Sequence, residues 1–268
     1  MKKSKPIGVF DSGLGGLTVV KQLTRVLPHE DIVYLGDTAR VPYGSRGEQI
    51  IKHFSEENTN FLLGKNVKVV VIACNTSSAV AADYLKDKFK KVPIFEVIDS
   101  AAKDAVKKGK KIGVIGTRAT IGSGAYERDI KKYSKNVKVL VKACPLFVPF
   151  IEEGELKSKA LKIIANTYLH NIRLAGVDTL IMGCTHYPII RSIIKKELGS
   201  NIKLVDPGVS VAREVFMFLK DKGMLNDQER KGKKEFFVTD LTERFTKVAE
   251  MFLGEKIKSQ LKKIELSK

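Results

Sequence analysis

The chain has 268 residues, 43% of them hydrophobic, with 48 Lys and Arg against 30 Asp and Glu, a formal net charge of +18. That length allows one large or two medium domains, each with its own core, and the composition excludes a disordered chain. The longest apolar runs are too short to span a bilayer, and the basic start Met1 to Pro6 leads into a strand-like segment without a signal-peptide apolar region, so a cytoplasmic protein is expected.

Ile7-Gly8-Val9-Phe10-Asp11 predicts a short strand, and Ser12-Gly13-Leu14-Gly15-Gly16 a glycine-rich turn into a helix from Leu17 to Leu27. The glycine spacing matches neither GxGxxG nor the P-loop, so no phosphate cradle is inferred; the glycines permit close backbone approach at the strand end. Asp11 is open to two roles, as a cap or as a carboxylate facing a site. Ile32 to Asp37 is the next strand, and the irregular Thr38 to Arg46 that follows is a candidate substrate loop on the same rim. A helix from Glu48 to Leu63 leads to the apolar run Val69-Val70-Val71-Ile72-Ala73, then Cys74-Asn75-Thr76 and a helix from Ser77 to Phe89. Pro93 to Asp99 closes this unit as a strand.

A second unit repeats the first. Lys111 to Thr117 resembles Ile7 to Asp11, and Arg118 to Ser123 stands where the glycine turn was. A strand over Val137 to Ala143 and a helix over Ala160 to Ala175 precede Val177 to Met182, which ends in Gly183-Cys184-Thr185-His186. Val67 stands seven residues before Cys74 and Val177 seven before Cys184, and Val97-Ile98-Asp99 is echoed by Leu204-Val205-Asp206. After Asp206 come a helix from Val209 to Lys222, a strand over Phe236 to Thr239, a helix from Glu243 to Leu253 and a charged tail. This last segment is expected to complete the first lobe. The predicted fold is therefore α/β, with two pseudo-symmetric α/β domains, mostly parallel sheets and an active site in the cleft between them. The first domain takes residues 1–98 plus 207–268 and carries Cys74; the second takes residues 99–206 and carries Cys184.

Each of these cysteines is expected at the carboxyl end of a buried strand and the amino end of a helix. Ligands bind at that end of open α/β sheets, and a helix terminus favours thiolate. Three cysteines cannot all pair within the chain, and Cys144, in Val141-Lys142-Ala143-Cys144-Pro145, is expected to be a buried structural thiol. A zinc site wants ligands at short spacing, a redox pair is ordinarily CxxC, and a single cysteine nucleophile leaves the second corner without a task. Two opposed thiols suit proton transfer. Inverting a carbon centre needs a base on one face and an acid on the other, and a thiol of reference pKa about 8.5 can serve as either.

The lysines fall on predicted helix faces and turns, as at Lys86, Lys88, Lys90 and Lys91, without the aromatic alternation of a nucleic-acid groove. No specific nucleic acid and no membrane is expected as a partner.

Gly8-Val9-Phe10-Asp11-Ser12-Gly13-Leu14-Gly15-Gly16, Asp37-Thr38-Ala39-Arg40-Val41-Pro42-Tyr43-Gly44, Ala73-Cys74-Asn75-Thr76, Gly183-Cys184-Thr185-His186-Tyr187-Pro188 and Val205-Asp206-Pro207-Gly208 together resemble the aspartate/glutamate racemase family over nearly the whole chain. The resemblance implies cofactor-independent interconversion of L-glutamate and D-glutamate, supplying D-glutamate for bacterial peptidoglycan, and leaves a homodimer open. By the same resemblance Cys74 takes the proton from D-glutamate and Cys184 from L-glutamate. Asp11 assists Cys74, and His186 assists Cys184. Asp11, Ser12, Tyr43, Gly44, Asn75, Thr76, Thr185 and His186 hold the substrate, with Thr117 and Thr120 on the second lobe. A family glutamate falls after Phe147-Val148-Pro149-Phe150-Ile151, where register favours Glu152 and the neighbouring Glu153 keeps the assignment open. The alternatives are an aspartate-specific racemase of the same fold, a thiol oxidoreductase and a basic nucleic-acid-binding protein.

Overall fold

The computed structural model describes residues 3–241, 243–254, 256–257 and 261–266. In chain order the first elements are β1 (Ile7–Asp11), α1 (Leu17–Val26), β2 (Ile32–Gly36), α2 (Glu48–Gly64), β3 (Val69–Ile72), α3 (Asn75–Lys88) and β4 (Ile94–Glu96). Then come α4 (Val97–Lys108), β5 (Lys111–Gly116), α5 (Arg118–Gly122), α6 (Ala125–Tyr133), β6 (Lys138–Ala143), α7 (Phe147–Glu152), α8 (Lys159–Leu174) and β7 (Thr179–Gly183). The chain continues with α9 (Arg191–Leu198), β8 (Lys203–Val205), α10 (Pro207–Asp221), β9 (Lys234–Val238), α11 (Glu243–Leu253) and β10 (Leu261–Lys263).

These strands form two parallel sheets, one ordered β10-β9-β2-β1-β3-β4 and the other β6-β5-β7-β8. The repeat seen in the sequence is an architectural one. The order β2-β1-β3-β4 recurs as β6-β5-β7-β8, so β3, which precedes Cys74, and β7, which precedes Cys184, hold matching places beside β1 and β5. β1, β2, β3 and β7 are buried along their whole length, which explains runs of apolar residues without polar alternation. α1 wraps the first sheet with Leu17, Val19, Val20 and Leu23 inside and Arg25 in its last turn, where a cation suits the helix dipole.

The structure corrects several boundaries. Val97-Ile98-Asp99 is not strand: β4 stops at Glu96, whose carboxylate accepts the amides of Ile98 at 2.6 Å and Asp99 at 2.7 Å and so caps α4. A buried cap satisfying two free amides outweighs the β propensity of Val97 and Ile98. Arg118 to Gly122 is a short helix capped by the Thr117 hydroxyl, and the expected tail contains β10, paired with β9. β9 lies inside the first sheet, between β10 and β2. A buried ion pair fastens the approach to it: Lys68 Nζ meets Glu30 at 2.5 Å and donates to the Lys3 carbonyl at 2.7 Å and the Met224 carbonyl at 2.9 Å. Among the described residues no helix is long and apolar enough to cross a membrane.

Candidate active site

Asp11 ends β1 and Cys74 follows β3, its direct neighbour in the sheet. The Cys74 sulfur accepts the Ser77 amide at 3.5 Å as the N-cap of α3, which begins at Asn75, two residues earlier than the sequence suggested. The thiol donates to the Ser12 hydroxyl at 3.5 Å. A helix terminus was expected to favour thiolate here, and the structure reverses that. Burial, reinforced by the negative charge of Asp11, pushes Cys74 up to about 11, and the Ser12 and Ser77 contacts do not offset it. Asp11 is itself 1% exposed, and its carboxyl is raised by burial despite the opposing influence of His186 and the Gly16 and Gly13 amides.

Cys184 follows β7, but the chain then turns through a short 3-10 stretch, Tyr187–Ile190, so Cys184 does not cap an α-helix. Its polar partner is a ring. His186 Nδ1 lies 3.8 Å from the Cys184 sulfur, and His186 Nε2 lies 3.0 Å from Glu152 Oε1. Burial pulls the imidazole down, but the bonds to Cys184 and Glu152 outweigh it and hold His186 up to about 10, which favours its protonated form. The placement distinguishes the acidic doublet: Glu152, at the end of α7, reaches His186 and the cavity, while Glu153 caps the same helix outside the cavity wall.

The glycine turn joins these two corners. A Cβ on Gly15 would lie 2.0 Å from the Thr185 hydroxyl and 2.6 Å from His186 Nδ1, so only glycine lets the first corner close on the second. The hydroxyl of Thr18, the second residue of α1, lies between the Gly15 carbonyl at 2.8 Å and the Thr185 carbonyl at 2.9 Å and so links the two corners.

Between the corners is a cavity of about 300 Å³, with both Cys74 and Cys184 in its wall. Ser12, Tyr43, Gly44, Asn75, Thr76 and Thr117 also line it, as do Thr185, His186 and Glu152. Asp11 and Thr120 do not; both stand behind the wall, buried at 1% exposure. Thr120 acts there on hydroxyls that do face the cavity, 2.9 Å from Thr117 and 3.4 Å from Thr76. Tyr126 donates to Asn75 Oδ1 at 2.6 Å, which fixes the amide orientation and leaves the buried Asn75 Nδ2 without a partner among the described residues. The Tyr43 loop is held from behind: Tyr43 donates to the buried Asp37, which also accepts Arg40 Nε at 2.7 Å and the Thr239 hydroxyl at 3.0 Å. Sequence reasoning missed Arg118 and the apolar lip of Pro145, Val148 and Pro149. Val148 and Pro149 sit in the same Phe-Val-Pro segment that located Glu152 and Pro145 lies just before it, so proximity to that glutamate was the available signal.

Two free thiols thus reach one small cavity from different sheets, one backed by a carboxyl group and the other by an imidazole. The protonation of Cys74 can be checked directly. Because thiolate is the reactive form, alkylation of Cys74 by iodoacetamide should rise about tenfold per pH unit from about pH 7 to 10, where an unperturbed thiol levels off above about pH 8.5. Mass spectrometry of a Cys144→Ser, Cys184→Ser variant measures this; a plateau near pH 8.5 overturns the assignment.

Comparison with known proteins gives a consistent result. The profile of the Asp/Glu/Hydantoin racemase family matches residues 7–215. A glutamate racemase of Thermoanaerobacter pseudethanolicus is 48% identical over 96% of this chain and 97% of its own length, and one of Geobacter metallireducens 43% identical over 94% of both. Among solved structures, glutamate racemase from Francisella tularensis in complex with D-glutamate superposes with a TM-score of 0.93 at 40% identity, covering 99% of each chain.

Proposed function

The chain belongs to the Asp/Glu/hydantoin racemase family, and from that premise we propose that it interconverts L- and D-glutamate using two thiols and no cofactor. One observation carries the mechanism: Cys74 and Cys184 enter the same cavity from the ends of pseudo-equivalent strands. From D-glutamate, the Cys74 thiolate takes the α-proton, the electron pair stays on carbon, and the Cys184 thiol delivers a proton to the opposite face. The reverse direction exchanges the roles, and atoms and charge balance each way.

The α-proton of an amino acid is only weakly acidic, so the site must stabilise the carbanion. Asn75, Thr76, Thr117 and Thr185, all in the cavity wall, supply neutral donors for the carboxylates. In the empty site Asp11 helps hold the proton on Cys74; the ammonium of a bound substrate introduces the opposite charge there and favours thiolate only when there is a proton to remove. On the other wall the His186 imidazolium sets a positive charge beside the Cys184 sulfur, with Glu152 holding the ring in place.

Residues 1–98 with 207–268 act in this reading as one body and 99–206 as the other, closing on the substrate from either side. The enzyme works in the cytoplasm, where its D-glutamate serves peptidoglycan synthesis, and light scattering distinguishes a monomer from the homodimer that the reading allows. Circular dichroism with each enantiomer of glutamate and of aspartate tests the substrate. Glutamate is expected to lose optical activity from either enantiomer, before and after dialysis against a chelator and a carbonyl reagent. Turnover of aspartate alone, or activity restored only by metal or pyridoxal phosphate, overturns the proposal.

A further inference from the structure

Tyr34 is the central residue of β2, in register with Val9 of β1 and Phe236 of β9, and is fully buried. A buried phenol needs a partner for its hydroxyl, and this one finds it outside the sheet. It donates to the carbonyl of Gly13, in the turn between β1 and α1. Burial, with Asp11 and Cys74 adding to it, pushes the phenol well above its ordinary value, so the hydroxyl stays a donor. The backbone closes round the ring. A Cβ on Gly16 would lie 3.0 Å from its Cε2 and 2.4 Å from Asp11 Cβ, and one on Gly36 would lie 3.2 Å from its Cε1 and 2.8 Å from the Gly13 oxygen. Phe236 packs on the same ring with centroids 6.2 Å apart.

Gly13 is held twice: its carbonyl takes the Tyr34 proton, and its amide donates to Asp11 Oδ2 at 3.1 Å. The amide sets the rotation of the carboxyl that neighbours Cys74, and Tyr34 sets where the turn carrying that amide stands. Ser12, whose hydroxyl accepts the Cys74 thiol at 3.5 Å, belongs to the same turn. Neither Tyr34 nor Gly13 lines the cavity, so the phenol touches no substrate and acts only through the turn. We propose that Tyr34 is a positioning residue for the Cys74 half of the reaction, its hydroxyl anchoring the Gly13 turn so that Asp11 stays against the thiol. The role rests on the two-thiol reading above. Core packing needs only the ring; the positioning role needs the hydroxyl.

Tyr34→Phe removes the hydroxyl and keeps the ring. Racemisation is expected to fall about tenfold, mostly in kcat. The equilibrium between enantiomers is fixed, so kcat/KM falls equally from both, and half-reactions must separate the corners. An analogue with a leaving group on its β-carbon eliminates after one thiol has taken the α-proton. Per folded molecule, elimination from the D analogue, which uses Cys74, should fall about tenfold, and from the L analogue less than about twofold. In an Asp11→Asn background the same substitution should cost less than about threefold, because the group it positions is already altered. Gly36→Ala crowds the Gly13 oxygen and the ring, and should carry the same D-side loss whether or not Tyr34→Phe folds. Tyr187→Phe is the control. It removes the bond of an equally buried phenol, to the Cys144 carbonyl at 2.9 Å in the other lobe, and should spare the D elimination. A parent protein that fails to racemise glutamate sinks the proposed function. With an active parent, the role of Tyr34 is sunk if Tyr34→Phe or Gly36→Ala keeps D elimination within about twofold or loses both eliminations equally. A loss by Tyr34→Phe that multiplies fully with that of Asp11→Asn, or that Tyr187→Phe matches, sinks it too.

Discussion

Cys74→Ser and Cys184→Ser should each lower racemisation by about 10²–10⁴-fold, because turnover needs one sulfur to remove a proton and the other to return one from the opposite face. The two variants should differ in a reaction that stops halfway. An analogue with a leaving group on its β-carbon eliminates once the α-proton is gone, so a single base suffices. Cys184→Ser is then expected to keep elimination from the D analogue, which uses Cys74, and Cys74→Ser to keep it from the L analogue. Their neighbours should sort the same way. Asp11 is the carboxyl beside Cys74 that the substrate ammonium is proposed to answer, and His186 contacts Cys184 at 3.8 Å, so Asp11→Asn should weaken the D half-reaction more and His186→Asn the L half-reaction more. Both cysteine variants losing both eliminations equally while remaining folded would show that the thiols share some other task.

Gly15→Ala is expected to cost about 100-fold in racemisation through one added methyl group. The new carbon would stand 2.0 Å from the Thr185 hydroxyl and 2.6 Å from His186 Nδ1, so the Cys184 corner must move away from the Cys74 corner. Overpacking of this kind costs about 1–3 kcal/mol of stability, which circular dichroism melting would register as a modest loss. The L half-reaction should suffer more than the D, since His186 is the displaced partner. Gly47→Ala is the control, having nothing within 4 Å of its added carbon. Unchanged elimination from both enantiomers by Gly15→Ala would mean that the two corners need not touch.

The features legible in the sequence were those that neighbouring residues decide. Val69 to Cys74 and Thr179 to Cys184 announce buried strands because a strand covered on both faces needs no polar alternation, and both are strands ending at a shared cavity. The duplication was legible because a valine stands seven residues before each cysteine and an apolar pair ending in aspartate follows in both halves. What escaped depended on partners far along the chain. Val97-Ile98-Asp99 looks like strand until the Glu96 carboxylate is seen capping a helix there, and Cys184 looks like a helix cap until the chain after it is seen to turn. Glu152 and Glu153 are alike until His186 meets one of them, and the Cys74 thiol cannot be ranked without knowing how completely it and Asp11 are buried. Arg118 reads as one more surface cation among many; only the cavity separates it from the others.

The interior place of β9 in the first sheet has a consequence for the chain during its synthesis. The second sheet is drawn from consecutive strands and can close as soon as β8 is made, whereas β2 must wait for β9, about 140 residues beyond β4. At about 5–20 residues per second the ribosome takes roughly 7 to 28 s to cover that distance. Throughout that interval the Ile32–Gly36 strand presents an open apolar edge, the kind that other nascent chains pair with. A transcript cut short before Lys234 would therefore release a product whose second lobe is finished and whose first is adhesive, one suited to capture by a chaperone or to aggregation.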